Sequence, residues 1–66
     1  MAYHKGQRVE YVDHYFGKEY RDFGTVVGMS FYPGINPYWT VHVNFDFGND
    51  SPYAFDEMEL DQISPL

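Results

Sequence analysis

Three histidines, His4, His14 and His42, and a run of carboxylates, Asp56, Glu57, Glu59 and Asp61, are the residues of this chain whose types could do chemistry. His14 follows Asp13, so the two could each give a ligand to a metal. A zinc centre needs at least three such donors. Nothing at a matching spacing completes the set, and the chain has no cysteine. The histidines therefore read as surface residues, and no metal is expected. The four carboxylates lie on one short segment without the apolar enclosure that tunes a general acid or base. No serine stands beside a plausible base in the sequence, there is no thiol, and no glycine-rich loop could cradle a phosphate. The expectation is a protein that is not an enzyme and takes no cofactor. Its carboxylates read as solvated charge offered to a basic partner, with a turn-capping role as the alternative for Glu57.

The aromatics are the stronger signal. Seven Tyr, six Phe and one Trp stand in 66 residues. Each buries roughly 150–250 Å² when enclosed, so they exceed what so small a core can hold. Tyr15, Phe16, Tyr20 and Phe23 gather in Asp13–Phe23 (DHYFGKEYRDF). Phe31, Tyr32 and Tyr38 gather in Phe31–Tyr38 (FYPGINPY), with Trp39 next. Ring faces attract cations, and Tyr or Trp beside Pro can receive a proline-rich segment. An aromatic cluster can equally be a subunit interface, or can cover the open end of a small barrel. A third group of contact candidates, Asp46, Phe47 and Asn49, lies at the hairpin in Val43–Phe55 (VNFDFGNDSPYAF), where Tyr53 follows the turn.

The elements that must position these residues read as strands. From 39 to 47 the odd positions are Trp39, Val41, Val43, Phe45 and Phe47, and the even ones Thr40, His42, Asn44 and Asp46. Strict alternation marks a strand with one buried and one wet face, which puts His42 on the wet side. Gly48-Asn49-Asp50 reads as a tight turn, and Ser51–Phe55 as the returning strand, with Pro52 near its start. Gln7–Val12 is a strand with Val9 and Tyr11 on one face. Gly24–Ser30 is another, in which adjacent Val26 and Val27 imply a bulge. Asp13–Phe23 and Phe31–Tyr38 read as loops. Met58, Leu60 and Ile63 fit one helical turn leading into a short last strand. The whole of 1–66 forms a single domain, an all-β, five-stranded SH3-like barrel with a single helical turn before the last strand. Its expected core is Val9, Val26, Val41, Val43, Phe45, Tyr53, Met58, Leu60 and Ile63.

Several short motifs resemble the SH3-like barrels of the Tudor and Mind-bomb type. They are Gly6-Gln7-Arg8-Val9, Gly24-Thr25-Val26, Val43 to Asn49, Tyr53, and Glu59-Leu60, and they span about residues 6–63. Tudor-like domains hold methylated Lys or Arg between aromatic faces. The resemblance therefore implies a cage drawn from the first loop and the central hairpin, with Asp46 or Asn49 at its rim. Gly6–Val9, Thr25–Gly28 and Leu60–Ile63 are also similar to the type II dihydrofolate reductase barrel. Ser51-Pro52-Tyr53-Ala54 stands where that family has its Val-Gln-Ile-Tyr active-site strand, so this second resemblance implies a fold and not the reductase activity.

Charge narrows the partners. The net charge is −6, from four Lys+Arg against ten Asp+Glu. Lys5, Arg8, Lys18 and Arg21 form no run, which disfavours direct binding to nucleic acid, because phosphate contacts rest on basic side chains. No apolar stretch approaches the roughly 18 residues of a membrane span, and MAYHKGQR lacks the apolar core of a signal peptide. A soluble, cytoplasmic domain is expected. Its leading function is that of a protein- or peptide-binding module using the aromatic loops, with homo-oligomerisation open. The alternative is a small acidic inhibitor or nucleic-acid mimic of the phage type, which suits a chain that opens on Met and holds one domain without a linker.

Overall fold

The computed structural model describes residues 3–48 and 51–66. Five strands, β1 (Arg8–Tyr15), β2 (Lys18–Tyr32), β3 (Tyr38–Phe45), β4 (Tyr53–Asp56) and β5 (Ile63–Pro65), form one antiparallel sheet. The sheet order is β4-β3-β2-β1-β5, and a 3-10 turn, Leu60–Gln62, precedes β5. The first four strands are a meander, and β5 returns to the free side of β1. Among the described residues β4 and β5 do not pair, so the sheet is curled but not closed. Both edges are short, four residues and three, and β5 ends on Pro65, which has no N–H to give to a ladder.

The curl is visible in the side chains. In a flat sheet β1 and β4 would lie about 14 Å apart, three strand spacings of ~4.8 Å. Here the Tyr11 ring of β1 is 5.9 Å from Phe55 of β4 and 6.0 Å from Phe45 of β3. Gly24 permits this bend. A Cβ placed there would stand 2.7 Å from Val43 Cγ1 and 2.9 Å from the Asn44 carbonyl oxygen. The expected bulge is present, as a register shift between Val26 and Gly28. It inverts the parity of β2. Before it, Gly24 and Val26 face inward. After it, Met29 opposite Val41 and Phe31 opposite Trp39 do so, which leaves Val27 at the surface.

The segment Asp13–Phe23 is not an irregular loop. β1 runs on to Tyr15 and β2 begins at Lys18, joined by the two-residue turn Phe16-Gly17. Both turn residues have positive φ, 50° and 74°, as a type I′ hairpin requires. That chemistry is masked in the sequence because Phe occupies the position where Asn is usual. An aromatic in the left-handed region costs about 1–3 kcal/mol. Phe31–Tyr38 likewise shrinks to a loop between β2 and β3, since Phe31 pairs with Trp39 and Tyr32 with Tyr38.

The core consists of Val9, Val26, Val41, Val43, Phe55 and Ile63, all buried, with Tyr3, Tyr11, Met29, Phe45 and Leu60 packed against them. Two expected core residues lie outside it: Tyr53 is 52% exposed and Met58 89%. On β4 the position opposite Val41 belongs to Phe55, while Tyr53, opposite Val43, falls at the mouth of the curl. Met58 sits in the turn after β4, where its N–H donates to Asp56 Oδ1 at 3.0 Å. The N-terminal segment closes the other end. Gly6 N–H donates to the Val26 carbonyl (2.7 Å), Val26 N–H to that of Gln7 (2.8 Å), and the Tyr3 hydroxyl to that of Ile63 (3.2 Å).

Candidate partner-binding site

The curl leaves a cavity of about 140 Å³ on the concave face, lined by Tyr11, Asp22, Phe45, Tyr53 and Phe55. Four strands contribute to it. Tyr11 and Asp22 are cross-strand partners on β1 and β2, so they share a face by the pleat of the sheet. Phe45 closes β3, and Tyr53 and Phe55 stand two apart on β4. Phe55 forms the floor, 2% exposed, and Tyr53 the rim. The rings meet at angles rather than in stacks. Tyr53 and Phe55 are 4.7 Å apart at 54°, Phe45 and Phe55 6.2 Å at 73°, and Tyr11 and Phe45 6.0 Å at 66°. Tilted rings of this kind turn several π faces and edges toward one volume.

The electrostatics of this cavity are negative. The Tyr11 phenol is pushed above its ordinary pKa, first by burial and then by the charges of Asp13, Tyr53, Asp22 and Glu59. Carboxylates that resist ionisation of a phenol favour a cation in the same place. An aromatic enclosure with one carboxylate on its wall can accept an organic cation by the attraction of charge to ring quadrupoles.

The residues expected from sequence to make a site are dispersed. Tyr15 and Tyr20 lie on the concave face of the β1–β2 hairpin, while Phe23, opposite Glu10, lies on the convex face. Phe16 caps the hairpin tip, 87% exposed, with its ring 4.4 Å from that of Tyr15. Phe31 and Trp39 meet on the concave face at 5.1 Å, and Tyr32 and Tyr38 stack on the other at 5.1 Å. These two pairs stand at the far end of β2 from Phe16. Fifteen residues of strand separate the two ends, and one aromatic cage cannot draw on both. Phe47 is 71% exposed in the turn after β3. Asp46 is held in a two-pronged ion pair by Arg8, with N···O distances of 2.7 and 2.6 Å, and Arg8 also donates to Thr25 Oγ1 at 2.9 Å. The Arg8 hydrogen bonds hold the Asp46 carboxyl below the ordinary Asp pKa. Asn49, and with it most of the expected Gly48-Asn49-Asp50 turn, lies outside the described residues.

Tyr11, Asp22 and Phe55 were not legible as a group. The alternation of Val9 with Tyr11 was a partial signal for one of them. The convex face also differs from expectation. His42 is half-buried rather than wet, with Nε2 3.0 Å from Ser30 Oγ and 3.2 Å from Thr40 Oγ1. A serine thus does stand beside a base, through the β2–β3 register that puts Ser30 opposite Thr40. Neither residue lines a described cavity, and the contact joins the two strands. The acidic segment is partly structural. Glu57 Oε1 accepts the Trp39 N–H at 2.8 Å, beyond the end of β4, and Glu59 Oε1 faces the Asp56 N–H at 3.4 Å. Among the described residues no three His, Asp or Glu converge as a metal site, and no helix is long and apolar enough to cross a membrane. No protein-family model matches the chain, and no curated protein or solved structure is significantly similar to it.

Proposed function

We propose that the chain is a non-enzymatic protein-binding module of SH3-like design that holds a cationic side chain of its partner, of the methylated lysine or arginine class, on its concave face. The observation that carries this reading is the cavity of Tyr11, Phe45, Tyr53 and Phe55 with Asp22 on its wall. The order β5-β1-β2-β3-β4 with a 3-10 turn before β5 supports the SH3-like arrangement. The exposed aromatics at both ends of β2 give the module apolar area for contacts outside the cavity. The acidic-inhibitor reading has less support, because Asp56, Glu57 and Glu59 direct carboxylate oxygens at backbone N–H groups.

The test is titration with Nε-trimethyllysine and, as a control, lysine, followed by NMR shifts and by the phenol absorbance of Tyr11. A cation seated in the cavity lowers the Tyr11 pKa, since it opposes the surrounding carboxylates. Trimethyllysine should bind, lysine should bind more weakly, and Tyr53→Ala and Asp22→Asn should each lose the effect. No shift at the five lining residues with any methylated cation would sink the reading.

A further inference from the structure

The β1–β2 tip has a property that the fold does not need. Phe16 occupies the first turn position with φ 50°, where asparagine or glycine fits without strain. Its ring is 87% exposed and touches Tyr15, itself 61% exposed. The strained aromatic thus packs on an exposed neighbour and not on the core. Strain retained at a residue that contributes little to the core points to a contact made elsewhere.

At the opposite end of the molecule lies a second cavity, of about 400 Å³, lined by Asn36, Pro37, Tyr38, Asp56, Glu57 and Met58. Its apolar walls are Pro37, Tyr38 and Met58, and Met58 is 89% exposed. Its charged groups are all carboxylates. The tip turn Tyr15–Lys18 carries a single charge, the cation of Lys18. The tip opens β2 and the cavity lies beside the start of β3, so β2 stands between them and they cannot meet within one molecule.

We infer that the tip of one copy seats in this cavity of a second copy, Phe16 between Pro37, Tyr38 and Met58, and Lys18 toward Asp56 and Glu57. Such a contact joins unlike surfaces. Each copy keeps a free tip and a free cavity, so the assembly grows head to tail until a ring closes.

Sedimentation velocity over a wide concentration range tests this, with two variants. Phe16→Asn creates the favoured Asn-Gly turn, so it should fold with an unchanged or raised Tm and sediment as a monomer, its self-association weakened at least tenfold. Met58→Asp puts a charge on the apolar wall of the cavity, which a docked Phe16 would have to desolvate, and should likewise remain monomeric. Mixed together, the two variants should form a one-to-one complex that grows no further, because one supplies the intact cavity and the other the intact tip. A wild-type chain that is monomeric at every concentration overturns the inference. So does a Phe16→Asn chain that associates like wild type, or a folded pair of variants that fail to combine. A symmetric dimer made through the Tyr32–Tyr38 stack would leave Phe16→Asn associating like wild type, because that stack does not include Phe16.

Discussion

Replacing Gly24 by Ala tests the claim that the curl depends on a missing side chain. The added Cβ would lie 2.7 Å from Val43 Cγ1, 2.9 Å from the Asn44 carbonyl oxygen and 3.2 Å from Phe45 Cδ1. Carbon atoms are at ease at about 3.5–4.0 Å, so the nearest contact must open by nearly 1 Å. Val43 cannot move aside cheaply. It is fully buried, and a β-branched side chain has few alternative rotamers. The Asn44 oxygen belongs to the β2–β3 ladder. Overpacking of this kind costs about 1–3 kcal/mol, and the upper part of that range applies because two of the three neighbours are rigid. Alanine regains roughly 0.5–1 kcal/mol through the lower chain entropy of its unfolded state. The net loss is about 2 kcal/mol. A domain of this size shifts its Tm by roughly 4–8 °C per kcal/mol, so thermal unfolding followed by circular dichroism should fall by about 8–16 °C. Phe45 also lines the concave cavity, so trimethyllysine binding should weaken even below the transition. A Tm within about 2 °C of wild type, with the NMR shifts of Val43 and Phe45 unmoved, would refute the reasoning about the curl.

Phe55→Ala should cost about 3–5 kcal/mol, as large aromatic truncations in cores do. That approaches the whole stability of a chain this short, and loss of dispersed amide signals at 37 °C checks it. Asp46→Asn should change the acid side of the stability profile. A carboxylate with a depressed folded pKa stabilises above its unfolded value, about 3.9 for Asp, and loses that contribution as pH falls through the folded value. Urea midpoints at pH 7 and pH 2.5 should therefore differ less in the variant than in wild type, and equal differences would remove Arg8–Asp46 from the account. Asp22→Asn should lower the Tyr11 phenol pKa only in part, because burial is the larger cause and Asp13 also raises it, read by absorbance near 295 nm on a chain whose remaining tyrosines are assigned by NMR. Glu57→Ala should leave the Trp39 N–H without its carboxylate and cost about 0.5–1.5 kcal/mol, whereas Glu57→Gln should recover most of it; equal losses in both would point to charge rather than the bond.

Much of the fold was legible because a sheet writes its pleat into the chain. The alternation from Trp39 to Phe45 marked β3, adjacent Val26 and Val27 marked the bulge, and Leu60 with Ile63 marked the last turn and strand. Legibility failed at the β1–β2 hairpin, where the turn is made by Phe16-Gly17 and not by a pair that announces itself. It failed again on β4, where Tyr53 and Phe55 stand on one face and only the curl decides which of them is enclosed. For the site, sequence identified aromatic surplus and carboxylates as the relevant chemistry. It placed that chemistry in loops, because loops were where the aromatics looked dense.

The chain by itself determined what local patterns can determine: the order of the five strands, the apolar face of β3, the absence of thiol chemistry, and the excess of rings over core. Tertiary structure alone decided which rings share a volume. Tyr11, Asp22, Phe45, Tyr53 and Phe55 come from four strands and span 45 positions from first to last. Their meeting depends on the bend that Gly24 permits and on the parity that the Val26–Gly28 bulge inverts. Neither can be read from any one segment, because each is a relation between strands.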